Sequence, residues 1–253
     1  SITGLEANGK YYVRAYASNN IETKYGVELY FFTHCKDIDG NIYPVVEIGD
    51  QVWMTENLKA THYADGTAIP YVESESEWDD LEYYEKAYCW FKNVPSNRDL
   101  FGGLYNWITA MNGAKESDTN PSGVQGVCPD GWHLPSDSEW KELEMHLGMS
   151  QSQADTLGWR GTDEGGQLKD SETVHWQSSN IGATNSSGFT ALPGGNRNYK
   201  GLFSGRGGFA YFWTATEYSG SNAWTRHLYH GTAQVNRYYH SEFSGFSVRC
   251  VRD

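Results

Sequence analysis

The chain has 253 residues, enough for one large domain, or for one domain plus a fragment of another. Its net charge is -13, and its 19 Lys and Arg are scattered. That argues against a nucleic-acid partner, because a phosphate backbone is held by grouped cations. No apolar run reaches the roughly 18 residues that span a bilayer.

Ser1-Ile2-Thr3-Gly4 carries neither an initiator Met nor a signal peptide, so the chain is expected to be a piece of a longer, exported precursor. Leu5 and a turn at Ala7-Asn8-Gly9 precede an alternating strand over Tyr11–Ser18. Asn19-Asn20 opens a turn, and Val27–Thr33 gives a second strand. Asp39-Gly40 predicts a tight turn between short strands. A calcium loop of the EF-hand type starting at Asp37 would need Gly and Glu where Ile42 and Ile48 stand. Residues 73–86 are acidic and predict a solvated helix or insertion. Leu104–Met111 predicts a short amphipathic helix stopped at Asn112-Gly113.

The strongest helix signal follows Pro135. Ser136 and Glu139 have capping-box spacing, Trp140, Leu143 and Leu147 share a face, and Gly148 ends it. A shorter helical run covers Gln151–Leu157. From Gly161 onward the chain is rich in Gly, Asn and Ser, with strands predicted at Trp213–Glu217, Ala223–Tyr229 and Phe246–Val251. The fold class is therefore α+β, with irregular Gly/Asn-rich loops.

Four cysteines, Cys35, Cys89, Cys128 and Cys250, are widely spaced with no Cys-x-x-Cys pair. Two long-range disulfides would suit an exported protein; three pairings are open, and Cys128–Cys250 is preferred because both flank patterned core segments. Free buried thiols are the alternative.

Several phrases carry a resemblance. They are Asp37-Ile-Asp-Gly-Asn-Ile-Tyr43, Gln51-Val-Trp-Met-Thr-Glu-Asn-Leu58, Tyr88-Cys-Trp90 and Leu104-Tyr-Asn-Trp107. Cys128-Pro-Asp-Gly-Trp-His-Leu-Pro-Ser-Asp-Ser-Glu-Trp140, Gly188-Phe-Thr-Ala-Leu-Pro-Gly-Gly195 and Gly245-Phe-Ser-Val-Arg-Cys-Val-Arg252 complete the set. In this order they resemble the Fibrobacter succinogenes major paralogous domain of exported bacterial proteins and lipoproteins. The resemblance implies a C-type-lectin-like fold, related to formylglycine-generating enzymes, over residues 34–253, with terminal strands that pair. Residues 1–33 resemble the last strands of a fibronectin type III domain. The resemblance also implies a bacterial cell-surface location, with an outer-membrane anchor supplied upstream.

The cysteine-oxidising relatives need a reactive cysteine pair before the final strand, and Trp213–Gly245 contains no cysteine. His-Glu-x-x-His, Gly-x-Ser-x-Gly and phosphate-loop patterns are missing as well. We therefore expect a non-catalytic module without cofactor or metal. The Glu-Pro-Asn, Gln-Pro-Asp and Trp-Asn-Asp marks of calcium-dependent sugar lectins are absent too.

The unusual stretch is Trp224–Ser244. Trp224, Arg226, Tyr229, His230, Arg237, Tyr238, Tyr239, His240 and Phe243 place amphipathic rings and cations among small polar residues, the composition of a paratope. Because strand side chains alternate, Tyr238-Tyr239-His240 cannot all point inward. These residues are the expected ligand-binding set, for a host or microbial protein or a glycan. A structural envelope or pilus-tip subunit assembling through the same face is the alternative. Some related lectin-like proteins are diversified by retroelements at asparagine codons; Tyr238, Tyr239, His240, Ser241, Phe243 and Ser244 are all reachable from such codons.

Overall fold

The computed structural model describes residues 3–172 and 174–253. The N-terminal strands form two short ladders rather than one long hairpin. β1 (Lys10–Val13) pairs with β4 (Leu29–Phe32), and β2 (Tyr16–Ser18) pairs with β3 (Thr23–Tyr25). The strand expected over Tyr11–Ser18 therefore breaks at Arg14-Ala15, and the chain reverses at Asn19, whose Oδ1 accepts from the amides of Ile21 and Glu22. Such a side-chain-capped turn is what Asn supplies readily. The ladders meet the rest of the molecule at their base. Arg252 lies over the Phe32 ring at 4.9 Å, and Trp132 Nε1 donates to Asn8 Oδ1 at 3.2 Å.

β5 (Cys35–Lys36) and β6 (Ile42–Tyr43) follow, joined by the expected Asp39-Gly40 turn. Asp37 ties this loop: its carboxylate accepts from the Asn41 amide (2.8 Å), Asn41 Nδ2 (2.7 Å) and the Tyr43 hydroxyl (2.6 Å). Three donors thus converge on the one carboxylate. Gly40 at φ 84° takes the left-handed conformation that the turn demands.

β7 (Val45–Ile48) and β8 (Gln51–Met54) form a hairpin. The acidic stretch folds as α1 (Glu75–Asp79), held down by Trp78, which is fully buried and donates through Nε1 to Phe243 O at 2.9 Å. β9 (Tyr88–Cys89), α2 (Pro95–Phe101), β10 (Leu104–Tyr105) and α3 (Trp107–Met111) come next. The helix expected from Leu104 starts three residues late, because Leu104 and Tyr105 pair with β9 and Asn106 caps Thr109 N at 3.0 Å. It stops at Asn112 with φ 51°, a left-handed cap.

β11 (Trp132–His133) leads into α4 (Asp137–His146), and both halves of the capping box are present. Glu139 N donates to Ser136 Oγ at 3.1 Å, and Ser136 N donates to Glu139 Oε2 at 2.9 Å. α5 (Gln151–Ala154), β12 (Gly158–Arg160), α6 (Glu164–Leu168), β13 (Asn196–Arg197) and β14 (Phe203–Ser204) fill the loop-rich region. The C-terminal part is a meander of β15 (Phe209–Ser219), β16 (Asn222–Tyr229) and β17 (Val235–Ser241), closed by β18 (Val251–Arg252). The strand expected over Phe246–Val251 shrinks to β18. Before it the chain is held by isolated bridges of Phe246 to Tyr105 and of Ser247 to the Tyr211–Trp213 backbone, and by Leu58 N to Val248 O and Met54 N to Cys250 O. The buried Arg249 guanidinium adds to these, donating to Met54 O, Phe189 O, Thr190 O and Asn57 Oδ1.

Two four-stranded antiparallel sheets organise the α+β fold, in the orders β11-β18-β8-β7 and β12-β17-β16-β15. Strands near the two ends of the chain thus pair, with Val251 opposite Trp53. One apolar core surrounds Trp132, Trp213 and Phe246, and a second surrounds Trp53, Trp140, Phe189 and Phe212. Cys128 and Cys250 are joined in the first. Cys35 and Cys89 are free and buried, so the expectation of two disulfides is corrected to one. They lie in different apolar clusters, and burial pushes the Cys89 thiol up to about 12.

Candidate ligand-binding face

The Trp224–Ser244 stretch is the β16–β17 hairpin and the turn after it. Residue pairing sets what each face carries. Arg226 lies opposite Arg237, Trp224 opposite Tyr239 and Thr225 opposite Tyr238. Because side chains alternate, Trp224, Arg226, Arg237 and Tyr239 share one face.

Inward along that face lies a buried ion cluster with α4. Arg226 reaches Asp137 Oδ1 and Glu144 Oε1, both at 2.7 Å. Arg237 holds Asp137 with Nε at 2.8 Å from Oδ1 and Nη2 at 2.8 Å from Oδ2, a bidentate pair. Arg160 pairs with Glu144, and Lys141 with Asp137 and Asp155. Burial alone would raise the Asp137 carboxyl, but Arg226, Arg237 and Lys141 hold it well below the usual carboxylate range. Arg226 is 0% exposed and Arg237 is buried too. The structure therefore places both beneath the face, bound to the α4 carboxylates, rather than exposed on it.

At the outer end of the hairpin the rings gather into an aromatic platform, which also takes in Tyr238 although its place opposite Thr225 starts it on the other face. The Arg237 guanidinium lies 3.5 Å from the centre of the Trp224 ring. Tyr218 meets Trp224 edge-on at 4.8 Å and stacks on Tyr239 at 3.9 Å, and Tyr239 stacks in turn on Tyr238 at 4.6 Å. Tyr218 is 43% exposed and Tyr238 38%. Three near-parallel phenols with a perpendicular indole give a fixed surface, apolar on its faces and polar at its hydroxyl tips. Tyr218 was missed in the sequence. Its only signal was a ring immediately before the Ser219-Gly220 turn.

The other predicted residues lie elsewhere. Tyr229 stacks on Phe209 at 4.5 Å toward the far end of β16, with His230 beside it at 4.4 Å. His240 is half-buried between His227 at 4.7 Å and Phe246 at 5.1 Å, and burial pushes it down to about 4. Phe243 lies past β17, its ring 6.3 Å from Tyr83. The structure thus brings Trp224, Tyr238 and Tyr239 together, adds Tyr218, and separates Tyr229, His230, His240 and Phe243 from them. Among the described residues no group of three or more His, Cys, Asp or Glu converges as metal ligands, and no helix is long and apolar enough to cross a membrane.

Residues 46–252 match the family model of the Fibrobacter succinogenes major domain. The chain belongs to that family. No curated protein and no solved structure matches it. In this Fibrobacter succinogenes major domain, the phrases quoted for the resemblance are largely scaffold. Asn57 Nδ2 bonds Phe101 O and Ser247 Oγ, Arg249 ties the C-terminal segment to Met54, and Ser136 and Glu139 cap α4. The tyrosine platform lies outside those phrases.

Proposed function

We propose that the chain is a non-catalytic cell-surface recognition module, with the Tyr218, Trp224, Tyr238 and Tyr239 platform as its ligand contact. The observation that carries this reading is the half-exposed stack itself. A contiguous exposed aromatic patch, unlike a lone exposed ring, is a mark of contact surfaces, and rigid Tyr and Trp provide area at low entropy cost. The buried Arg237–Asp137 pair beneath Trp224 pre-organises it, which limits the ordering cost of binding.

A C-type-lectin-like fold agrees with the pairing of β8 with β18 and with the long irregular loops between α4 and β15. An exported location agrees with the Cys128–Cys250 disulfide. Retroelement diversification would act on the exposed Tyr238 and its half-buried neighbours; Ser244 is buried and would lie outside such a surface.

A screen of the intact chain against glycans and bacterial or host surface proteins tests the reading. Specific binding to at least one of them is expected, lost in Tyr238→Ala/Tyr239→Ala while the thermal transition is retained. Binding that survives in the double variant places the site elsewhere.

A further inference from the structure

Past the end of β17, the backbone of Glu242 is locked. Its N–H donates to Ser221 O at 2.9 Å, and its carbonyl accepts from Trp107 N at 2.9 Å. The residue is 1% exposed, yet neither carboxylate oxygen accepts a well-formed hydrogen bond, the Tyr83 hydroxyl making only a loose approach. Buried polar groups are almost always paired, and an unpaired carboxylate is the costliest exception. Among the described residues the titratable groups facing it are the Tyr83 hydroxyl, from the loop after α1, and Glu217, from β15. Neither supplies a positive charge.

The segment that carries Tyr83 presents Glu73, Glu75, Glu77, Asp79, Asp80, Glu82 and Glu85 to solvent. Tyr83 is 48% exposed, so its ring stands where it can turn aside, and Phe243 lies edge-on to it. Two carboxylates, a phenol and a second ring inside an acidic surface match one kind of occupant. A metal ion asks for three or more hard ligands, whereas an organic cation is satisfied by carboxylates and ring faces.

We propose that Glu242, with Glu217 and Tyr83, receives an ammonium or guanidinium group, the end of a lysine or arginine side chain on a protein ligand. The surrounding acidic segment steers that ligand by charge complementarity. The site uses none of the platform rings and stands or falls apart from them. Burial pushes the Glu242 carboxyl up to about 7, opposed by Tyr83 and assisted by Glu217. A cation is held by the ionised form, so its affinity rises with pH. For one group titrating near 7, the ionised fraction grows about tenfold between pH 6 and pH 8.

The test is an NMR titration of the intact chain with n-butylammonium and n-butylguanidinium, with n-butanol as the neutral analogue and calcium chloride as the metal control. The reporters are the Trp107 amide, bonded to Glu242 O, and the Trp78 indole N–H, bonded to Phe243 O. Saturable shifts with one or both organic cations are expected, tighter at pH 8 than at pH 6 by up to about tenfold. They should be lost in Glu242→Gln, weakened in Glu217→Gln and unchanged in Tyr238→Ala. The spectrum itself shows whether each variant is folded. An equal response to n-butanol, shifts retained in folded Glu242→Gln, preferential saturation by calcium, or no saturable shift with either cation would each overturn the assignment.

Discussion

Arg226 and Arg237 show how a residue type misleads until its partners are known. In the sequence they read as surface cations beside tyrosines; in the fold their carboxylates come from Asp137 and Glu144, on a helix some eighty or more residues earlier. Nothing local announces that pairing. Removing one member leaves the others buried and uncompensated, so Arg226→Ala is expected to lose about 3–5 kcal/mol in urea denaturation. The sign of the pH effect follows from Asp137. Its folded carboxyl titrates below its unfolded counterpart, near about 3.9, so the cluster's contribution is complete above that pH. It is lost as the pH falls toward the lower folded value. Stability that falls with acid less steeply in Asp137→Asn than in the wild type, measured by thermal melts from pH 6 to 3, checks this.

Elements with self-contained signals were legible, and elements defined by distant partners were not. α4 could be placed from Ser136, Glu139 and Gly148 because a helix start is encoded within one turn. Ser136 Oγ also donates to Thr119 O at 2.7 Å, so Ser136→Ala removes a cap and a tether. The expected loss is about 1–2 kcal/mol of unfolding free energy, read from denaturant midpoints with the slope unchanged. β17 had no such signal. Its consecutive Tyr238-Tyr239-His240 obscures the two-residue period, and its strand character comes from pairing with β16 and β12. Likewise Phe246–Cys250 has strand composition, but its backbone bonds are split among Tyr105, Tyr211, Trp213, Leu58 and Met54, so only isolated bridges form before β18.

Over the whole molecule, the α+β class and the family followed from phrases that prove to be scaffold, which is why they identify the fold without locating its site. Three of the four platform rings were found because tyrosines concentrate there. Tyr218 was not, since it joins them only when β15 folds beside β16. The Cys128–Cys250 crosslink closes a loop with a sequence separation of 122. Cys128→Ala/Cys250→Ala is therefore expected to lose about 2–5 kcal/mol, seen as a lowered thermal transition, whereas the buried free thiols Cys35 and Cys89 should make the wild type no more sensitive to reductant than this one bond explains.

The central claim is that the tyrosine platform contacts the ligand. Its most direct test is the dissociation constant of the strongest ligand from the surface screen, measured by surface plasmon resonance for the wild type and for Tyr218→Ala/Tyr238→Ala. Both rings are exposed and outside the cores, so the fold should persist. A weakening of at least about tenfold, equivalent to 1.4 kcal/mol, is the expected result for loss of aromatic anchors. An unchanged constant in a variant with an unchanged thermal transition would contradict it.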